Sequence, residues 1–187
     1  MRRRRKAVAC VLVLAVCMLC SCARPHRTWR QEEFLIGVRG SPPAKAEHFA
    51  QVARSGFGVL FDRLAPDALP LAERFGLKLA VSRIGLEAAT FAAVEGRQRT
   101  ADHIAWARRY PALWGYQLAD DVREEDFPAL GQIGGFVREC DPAHPFYVGA
   151  LAADAWVGAA LTSGDYAGYL ERFVRTVRPP LLSVAPS

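Results

Sequence analysis

Hydrophobic and polar positions between residues 34 and 184 alternate between two kinds of segment. Short apolar runs that end at Gly, Pro or polar residues are typical of buried strands, and longer segments with apolar residues at helical spacing separate them. The predicted strands are Phe34–Val38, Val59–Phe61, Leu77–Val81, Leu113–Leu118, Pro145–Val148 and Leu181–Val184. The predicted helices are Ala44–Ser55, Pro66–Phe75, Arg97–Tyr110, Phe127–Cys140 and Tyr166–Val177.

This alternation predicts an α/β protein with a parallel sheet and helical crossovers. Two architectures fit: an open doubly wound sheet, and part of a TIM barrel. A glycine-rich phosphate-binding loop after the first strand would favour the doubly wound sheet, but the segment Gly37–Ser41 has neither GxGxxG nor GxxxxGK[ST]. A complete barrel typically needs about 250 residues, and the pattern here ends on a sixth strand.

The N-terminal residues have the layout of a bacterial signal peptide. The basic run Arg2–Lys6 leads into the apolar run Ala7–Leu19, which is shorter than the ~20 residues of a spanning helix and fits the ~7–15 of a signal-peptide core. The segment Leu19-Cys20-Ser21-Cys22 resembles the lipobox of bacterial lipoproteins. That resemblance implies cleavage before Cys22 and a lipid on its thiol. A plain signal peptide cut nearby, or an uncleaved short anchor, is the alternative.

Charge and cysteine content set further limits. The run Arg2–Lys6 accounts for the whole formal net charge of +5, so the folded part has no basic excess and a nucleic-acid partner is not predicted. Cys140 is the one cysteine beyond Cys22, so no internal disulfide is predicted. No CxxC or HExxH motif occurs, and we predict no metal and no cofactor. The predicted plan is a signal peptide over residues 1–21, a polar tether over 22–33 and a single domain over 34–187.

Six segments spread over the domain carry a second resemblance. They are Phe34–Pro43, Val52–Val59, Leu71–Lys78, Trp114–Asp121, Asp141–Val148 and Val177–Ser183. In this order they resemble TIM-barrel glycoside hydrolases of the β-galactosidase-like clan, which are often exported or lipid-anchored. The resemblance favours the barrel and implies an incomplete (β/α)8 barrel of about five and a half parallel βα units.

The resemblance also implies site residues. The family has Gly-Tyr-His-x-x-Asp-Glu-Pro at the end of strand four, where the Glu is the acid/base, and Asp121 lies at that position with Asp120 beside it. A retaining glycosidase needs two carboxyl groups ~5 Å apart, and the family's second carboxyl lies on a seventh strand, to which no residue here matches. Tyr116 and Gln117 of the same motif are candidate substrate contacts, although strand alternation predicts that at most one of them faces the barrel interior. Arg39, which stands where the family more often has Trp, is a further candidate because it follows the first strand.

The leading hypothesis is an exported, lipid-anchored protein of the cell envelope with a glycoside-hydrolase-like partial barrel. Its ancestor hydrolysed glycosidic bonds with retention, and the missing nucleophile predicts that activity is impaired. The alternatives are a non-catalytic envelope protein that binds a glycan or a partner, a gene remnant, or an open α/β domain of unrelated function. Carbohydrate and the membrane are the expected partners, and an open barrel predicts self-association through its unpaired edge strands.

Overall fold

The computed structural model describes residues 28–40, 43–61, 68–82, 91–152 and 164–184. The predicted signal peptide, the predicted lipid attachment site Cys22 and the start of the predicted tether lie outside these residues. No helix in the described ranges has the length and apolar character needed to cross a membrane.

The described strands form one parallel sheet. They are β1 (Gly37–Arg39), β2 (Val59–Phe61), β3 (Lys78–Val81), β4 (Leu113–Val122), β5 (Phe146–Ala150) and β6 (Ser183–Val184). Each strand pairs with the next in parallel, and the spatial order is the chain order β1-β2-β3-β4-β5-β6. A doubly wound sheet reverses its order at a switch point, whereas a barrel adds strands in sequence. The prediction of an incomplete TIM-barrel fold is therefore confirmed.

The described helices lie between consecutive strands. They are α1 (Ala46–Arg54), α2 (Leu69–Arg74), α3 (Val94–Ala107), α4 (Phe127–Cys140) and α5 (Tyr166–Val177), with a short 3-10 turn at Glu124–Asp126. Their apolar faces cover the outer side of the sheet. Phe127 of α4, for example, packs against Tyr169 and Phe173 of α5 at ring distances of 5.3 and 5.4 Å, and all three are buried.

The sheet is strongly curled. Strands β1 and β4 are three places apart in the sheet, which would separate them by about 14 Å if the sheet were flat. Nevertheless Arg39 of β1 reaches Asp120 of β4 with 2.9 Å between Nη2 and Oδ2. The rings of Phe61 on β2 and Tyr147 on β5 are 5.5 Å apart. The strands therefore enclose a concave face, as the wall of a barrel does.

Most predicted elements match the structure closely. The predicted strand Val59–Phe61 and the helices α4 and α5 have the predicted bounds. The first strand begins later than predicted, at Gly37, and ends one residue later, at Arg39, because these three residues are in register with β2. Phe34 is 92% exposed. Strand β4 continues to Val122, beyond its predicted end at Leu118, because it keeps pairing with β5.

Candidate functional site

The concave face of the sheet holds a pocket of about 840 Å³. Aromatic rings form much of its wall: Trp114 meets Phe61 edge to face at 5.1 Å, and Trp29, in the segment before β1, meets Trp114 at 6.2 Å. Its remaining wall comes from Gln31, Glu32, Glu33, Phe34, Leu35, Gly37, Arg39, Val59, Tyr147, Leu181, Leu182 and Ser183. The pocket wall thus combines apolar rings with a polar group that includes Arg39, Tyr147 and Ser183, and Asp120 lies beside this group.

Asp120 is the centre of the polar group. Its Oδ2 accepts hydrogen bonds from the amide of Gln117 and pairs with the guanidinium of Arg39. The side chain of Asp120 is 23% exposed and that of Arg39 is 55% exposed. The second oxygen, Oδ1, is buried and accepts no hydrogen bond from any residue that the structure describes. This oxygen faces Gly149 of β5, whereas the accessible charged group of the pair is the Arg39 guanidinium.

Tyr147 and Ser183 extend the polar group onto β5 and β6. The Ser183 hydroxyl donates to the Tyr147 oxygen at 3.0 Å. Burial raises the pKa of Tyr147, and the charge of the Asp120 carboxylate and a hydrogen bond to it raise this pKa further. The hydrogen bond from Ser183 and the charge of Arg39 lower it by less. Tyr147 is therefore protonated at neutral pH, and its hydroxyl is a donor close to Asp120.

A bulge in β4 separates the two neighbouring carboxylates. Ala119 pairs with Val148 and Val122 with Ala150, so β4 has one more residue than β5 over this stretch. Asp121 takes up the excess with a left-handed φ of 50°. Its side chain is exposed, whereas Asp120 turns onto the concave face.

The structure brings three of the predicted site residues together: Arg39, Gln117 and Asp120. It places the other two predicted site residues elsewhere. Asp121 contributes to the raised pKa of Tyr169, which is due first to burial, so it lies toward α5. Tyr116 is fully buried, and its hydroxyl donates to Asp141, so no surface of Tyr116 is left for a substrate.

Tyr147, Ser183 and Gly149 were not predicted from the sequence. Tyr147 and Ser183 both lie on strands that the sequence predicts, as the second residue of β5 and the first of β6. Their place on those strands was the available signal. Gly149 lies one residue beyond the predicted end of its strand, and only the position of Asp120 shows its importance.

A second polar network lies on the helix-covered side of the sheet. Asp141 Oδ2 accepts from the Tyr116 hydroxyl at 2.7 Å and lies 2.8 Å from His144 Nδ1. Burial favours a higher pKa for Asp141, but the bonds from His144 and Tyr116 outweigh it and hold the pKa below its ordinary value. This network joins β4 to the loop before β5, away from the concave pocket.

Among the described residues, no group of three or more His, Cys, Asp or Glu side chains is arranged to hold a metal ion.

Solved structures with similar folds include glycoside hydrolases. A glycosyl hydrolase family 2 member from Bacteroides cellulosilyticus has a TM-score of 0.52 and 14% identity, covering 75% of this chain and 18% of that protein. An endo-β-1,4-mannanase from Thermotoga petrophila has a TM-score of 0.48 and 10% identity, covering 64% and 43% respectively. An amidohydrolase from Burkholderia multivorans has a TM-score of 0.41 and 14% identity, covering 94% and 80%.

The family 2 protein shares the fold of this chain. This chain spans less than half the length of either glycoside hydrolase. No protein-family model matches the chain, and no curated protein sequence gives a significant match.

Proposed function

We propose that the chain binds a carbohydrate on the concave face of its glycoside-hydrolase-like partial barrel. The observation that supports this most is the pocket wall, where Arg39 and Tyr147 lie beside the rings of Trp114 and Phe61. Asp120 Oδ2 pairs with Arg39 and accepts a hydrogen bond from Gln117, so it holds the guanidinium in place. The Arg39 guanidinium, which is 55% exposed, would donate to a sugar hydroxyl, and the ring faces of Trp114 and Phe61 would pack against the apolar face of a pyranose.

Binding without hydrolysis is the activity we propose for this chain by itself. Retaining hydrolysis needs a second carboxyl about 5 Å from the first. Among the described residues, the side chains in contact with Asp120 are Arg39, Gln117 and Tyr147, and none of these is an acid. The acids of the pocket wall, Glu32 and Glu33, lie in the segment before β1. The retaining hydrolysis attributed to an ancestor remains part of the proposal, which rests on the sequence resemblance.

Calorimetric titration of the purified chain with neutral oligosaccharides, β-1,4-mannan fragments among them, tests the proposal. Asp120→Asn should weaken binding by roughly tenfold to a hundredfold, since hydrogen bonds to a charged group contribute about 1.5–3 kcal/mol. Asp121→Asn makes the same change of charge one residue away and should have a much smaller effect.

Two results would contradict the binding proposal. Equal losses in the Asp120→Asn and Asp121→Asn variants would mean that the bulge does not separate the two carboxylates in function. Turnover of aryl glycosides by the wild-type chain, abolished by Asp120→Asn, would make the protein an enzyme rather than a binding protein.

We also propose that the chain is exported and anchored by a lipid on Cys22. The basic run, the apolar core and the Leu19–Cys22 segment support this. Growth with labelled palmitate should label the wild-type chain and the matched Cys20→Ser variant, but not the Cys22→Ser variant. Equal labelling of the two variants would contradict the assignment.

A further inference from the structure

We propose that Gly149 is a positioning residue of this site. Because it has no side chain, it leaves the space that the Asp120 carboxylate needs to point onto the concave face. The effect on ligand binding rests on the proposed carbohydrate site. The effect on Asp120 itself rests only on contacts within the protein.

Gly149 lies directly beneath the Asp120 carboxylate. A Cβ placed on Gly149 would overlap Asp120 Oδ1, while the Asp120 Cα and Cγ atoms would be at an ordinary 3.4 Å. Gly149 is not among the glycines with positive φ, so its backbone conformation suits any residue. A larger residue is therefore excluded by Asp120 Oδ1, which occupies the space that its Cβ would need.

The backbone around Asp120 has little freedom to yield. Ala119 and Val122 are both paired with β5, one on each side of the bulge. A Cβ at residue 149 would therefore be accommodated by rotation of the Asp120 side chain rather than by retreat of the strand. Such a rotation moves Oδ2 away from Arg39, which it meets at 2.9 Å, and from Gln117.

Four proteins test this: the wild type, Gly149→Ala, Asp120→Ala and the double variant. Gly149→Ala should lower Tm by several degrees, because overpacking a buried site is destabilising. In the Asp120→Ala background the obstructing oxygen is gone, and alanine suits a strand better than glycine. The same Gly149→Ala change should then leave Tm unchanged or raise it.

Gly135→Ala is the matched control, because a Cβ there meets no atom within 4 Å and the residue lies in helix α4. It should not lower Tm, and oligosaccharide binding should be unchanged. Gly149→Ala should weaken binding about tenfold, since it separates Asp120 from Arg39 and Gln117 and a charge-assisted hydrogen bond is then lost.

The Tm and binding readouts separate the two proposals. If Gly149→Ala lowers Tm equally in the wild-type and Asp120→Ala backgrounds, Gly149 does not act through Asp120 and the inference is overturned. If Tm shows the expected dependence on Asp120 but no oligosaccharide binds the wild type, the positioning role stands and the carbohydrate proposal fails.

Discussion

Asp141 shows how a single carboxylate can connect distant parts of the chain. It is 3% exposed and has hydrogen-bond partners on both oxygens. Oδ2 accepts from the Tyr116 hydroxyl and is 2.8 Å from His144 Nδ1, and Oδ1 accepts from the Ala143 amide at 3.2 Å. A buried carboxylate is tolerated when its oxygens are satisfied in this way. These bonds fix the loop between α4 and β5 against the middle of β4.

The lowered pKa of Asp141 predicts acid sensitivity. A carboxyl whose pKa is lower in the folded state stabilises the fold above its unfolded pKa, and this contribution is lost as pH falls through the folded pKa. For Asp141 the loss should begin near the ordinary value of 3.8 and continue below it. At pH 7 the Asp141→Asn variant should be less stable than the wild type by roughly 1–3 kcal/mol. On acidification it should lose less stability than the wild type loses.

Urea unfolding at pH 7 and pH 3 measures both effects. Asp102→Asn is the control, because Asp102 is exposed and only bonds to Gln98 one helical turn away. The same wild-type pH dependence in Asp141→Asn would contradict the assignment of acid sensitivity to this carboxyl.

At the level of the elements, local sequence features predicted most of the fold. Helices α4 and α5 follow from the spacing of their apolar residues, and both have the predicted bounds. The extension of β4 to Val122 was not predicted, because pairing with β5 determines it rather than any property of residues 119–122.

The bulge in β4 between Ala119 and Val122 explains which part of the site could be predicted from the sequence and which could not. The position of Asp120 on the concave face and of Asp121 outside it depends on one extra residue in β4, which motif matching cannot reveal. Arg39 was predicted because it ends a strand at the edge where sites form. Gly149 could not be predicted, since its role depends on a side chain from the neighbouring strand.

The left-handed conformation of Asp121 predicts an order of stability among substitutions. Its φ is 50° and that of Arg178, after helix α5, is 52°, a region that glycine adopts freely and β-branched residues do not. Asp121→Val should therefore be less stable than Asp121→Gly by about 1–3 kcal/mol. Arg178→Val and Arg178→Gly should follow the same order.

Thermal unfolding of these pairs tests the conformation of the bulge. Arg123 is the control, since it is exposed and has an extended φ of −90°. There valine should be tolerated at least as well as glycine. If glycine is not the more stable residue at position 121, the bulge does not have the described geometry.

For the whole molecule, the unpaired sides of β1 and β6 are the dominant feature. Within the described residues each of these strands pairs with one neighbour only, and exposed apolar side chains lie beside them: Ile36 is 54% exposed and Leu182 is 53% exposed. Strand edges of this kind favour pairing with other chains.

We therefore predict concentration-dependent self-association, measured by sedimentation velocity. The double change Ile36→Lys and Leu182→Lys should shift the protein toward monomer, because charge at an edge opposes pairing. Val174→Lys is the control, since Val174 is 48% exposed but lies on helix α5. An equal effect of Val174→Lys would mean that the sheet edges are not the contact.

The attachment of the tether predicts how an anchored molecule faces its membrane. The Trp29 amide donates to the Pro142 carbonyl at 2.9 Å, in the loop that precedes β5, so the tether ends at the amino ends of the strands. Asp120 lies toward the opposite, carboxyl end of β4. The few residues between Cys22 and Trp29 extend by at most about 25 Å. A lipid on Cys22 would therefore hold the amino ends of the strands toward the membrane and Asp120 away from it.

Energy transfer from a fluorescent label to an acceptor lipid measures this orientation in vesicles that carry the lipidated chain. Cys140 ends helix α4, on the side of the Pro142 loop, whereas the exposed Glu125 follows the carboxyl end of β4. A label on Cys140 should transfer more strongly than a label on Glu125→Cys in a Cys140→Ser background. Stronger transfer from residue 125 would mean that the carboxyl ends of the strands face the membrane. A chain that does not attach to vesicles would instead contradict the lipid anchor, and the difference between the two labels would then vanish.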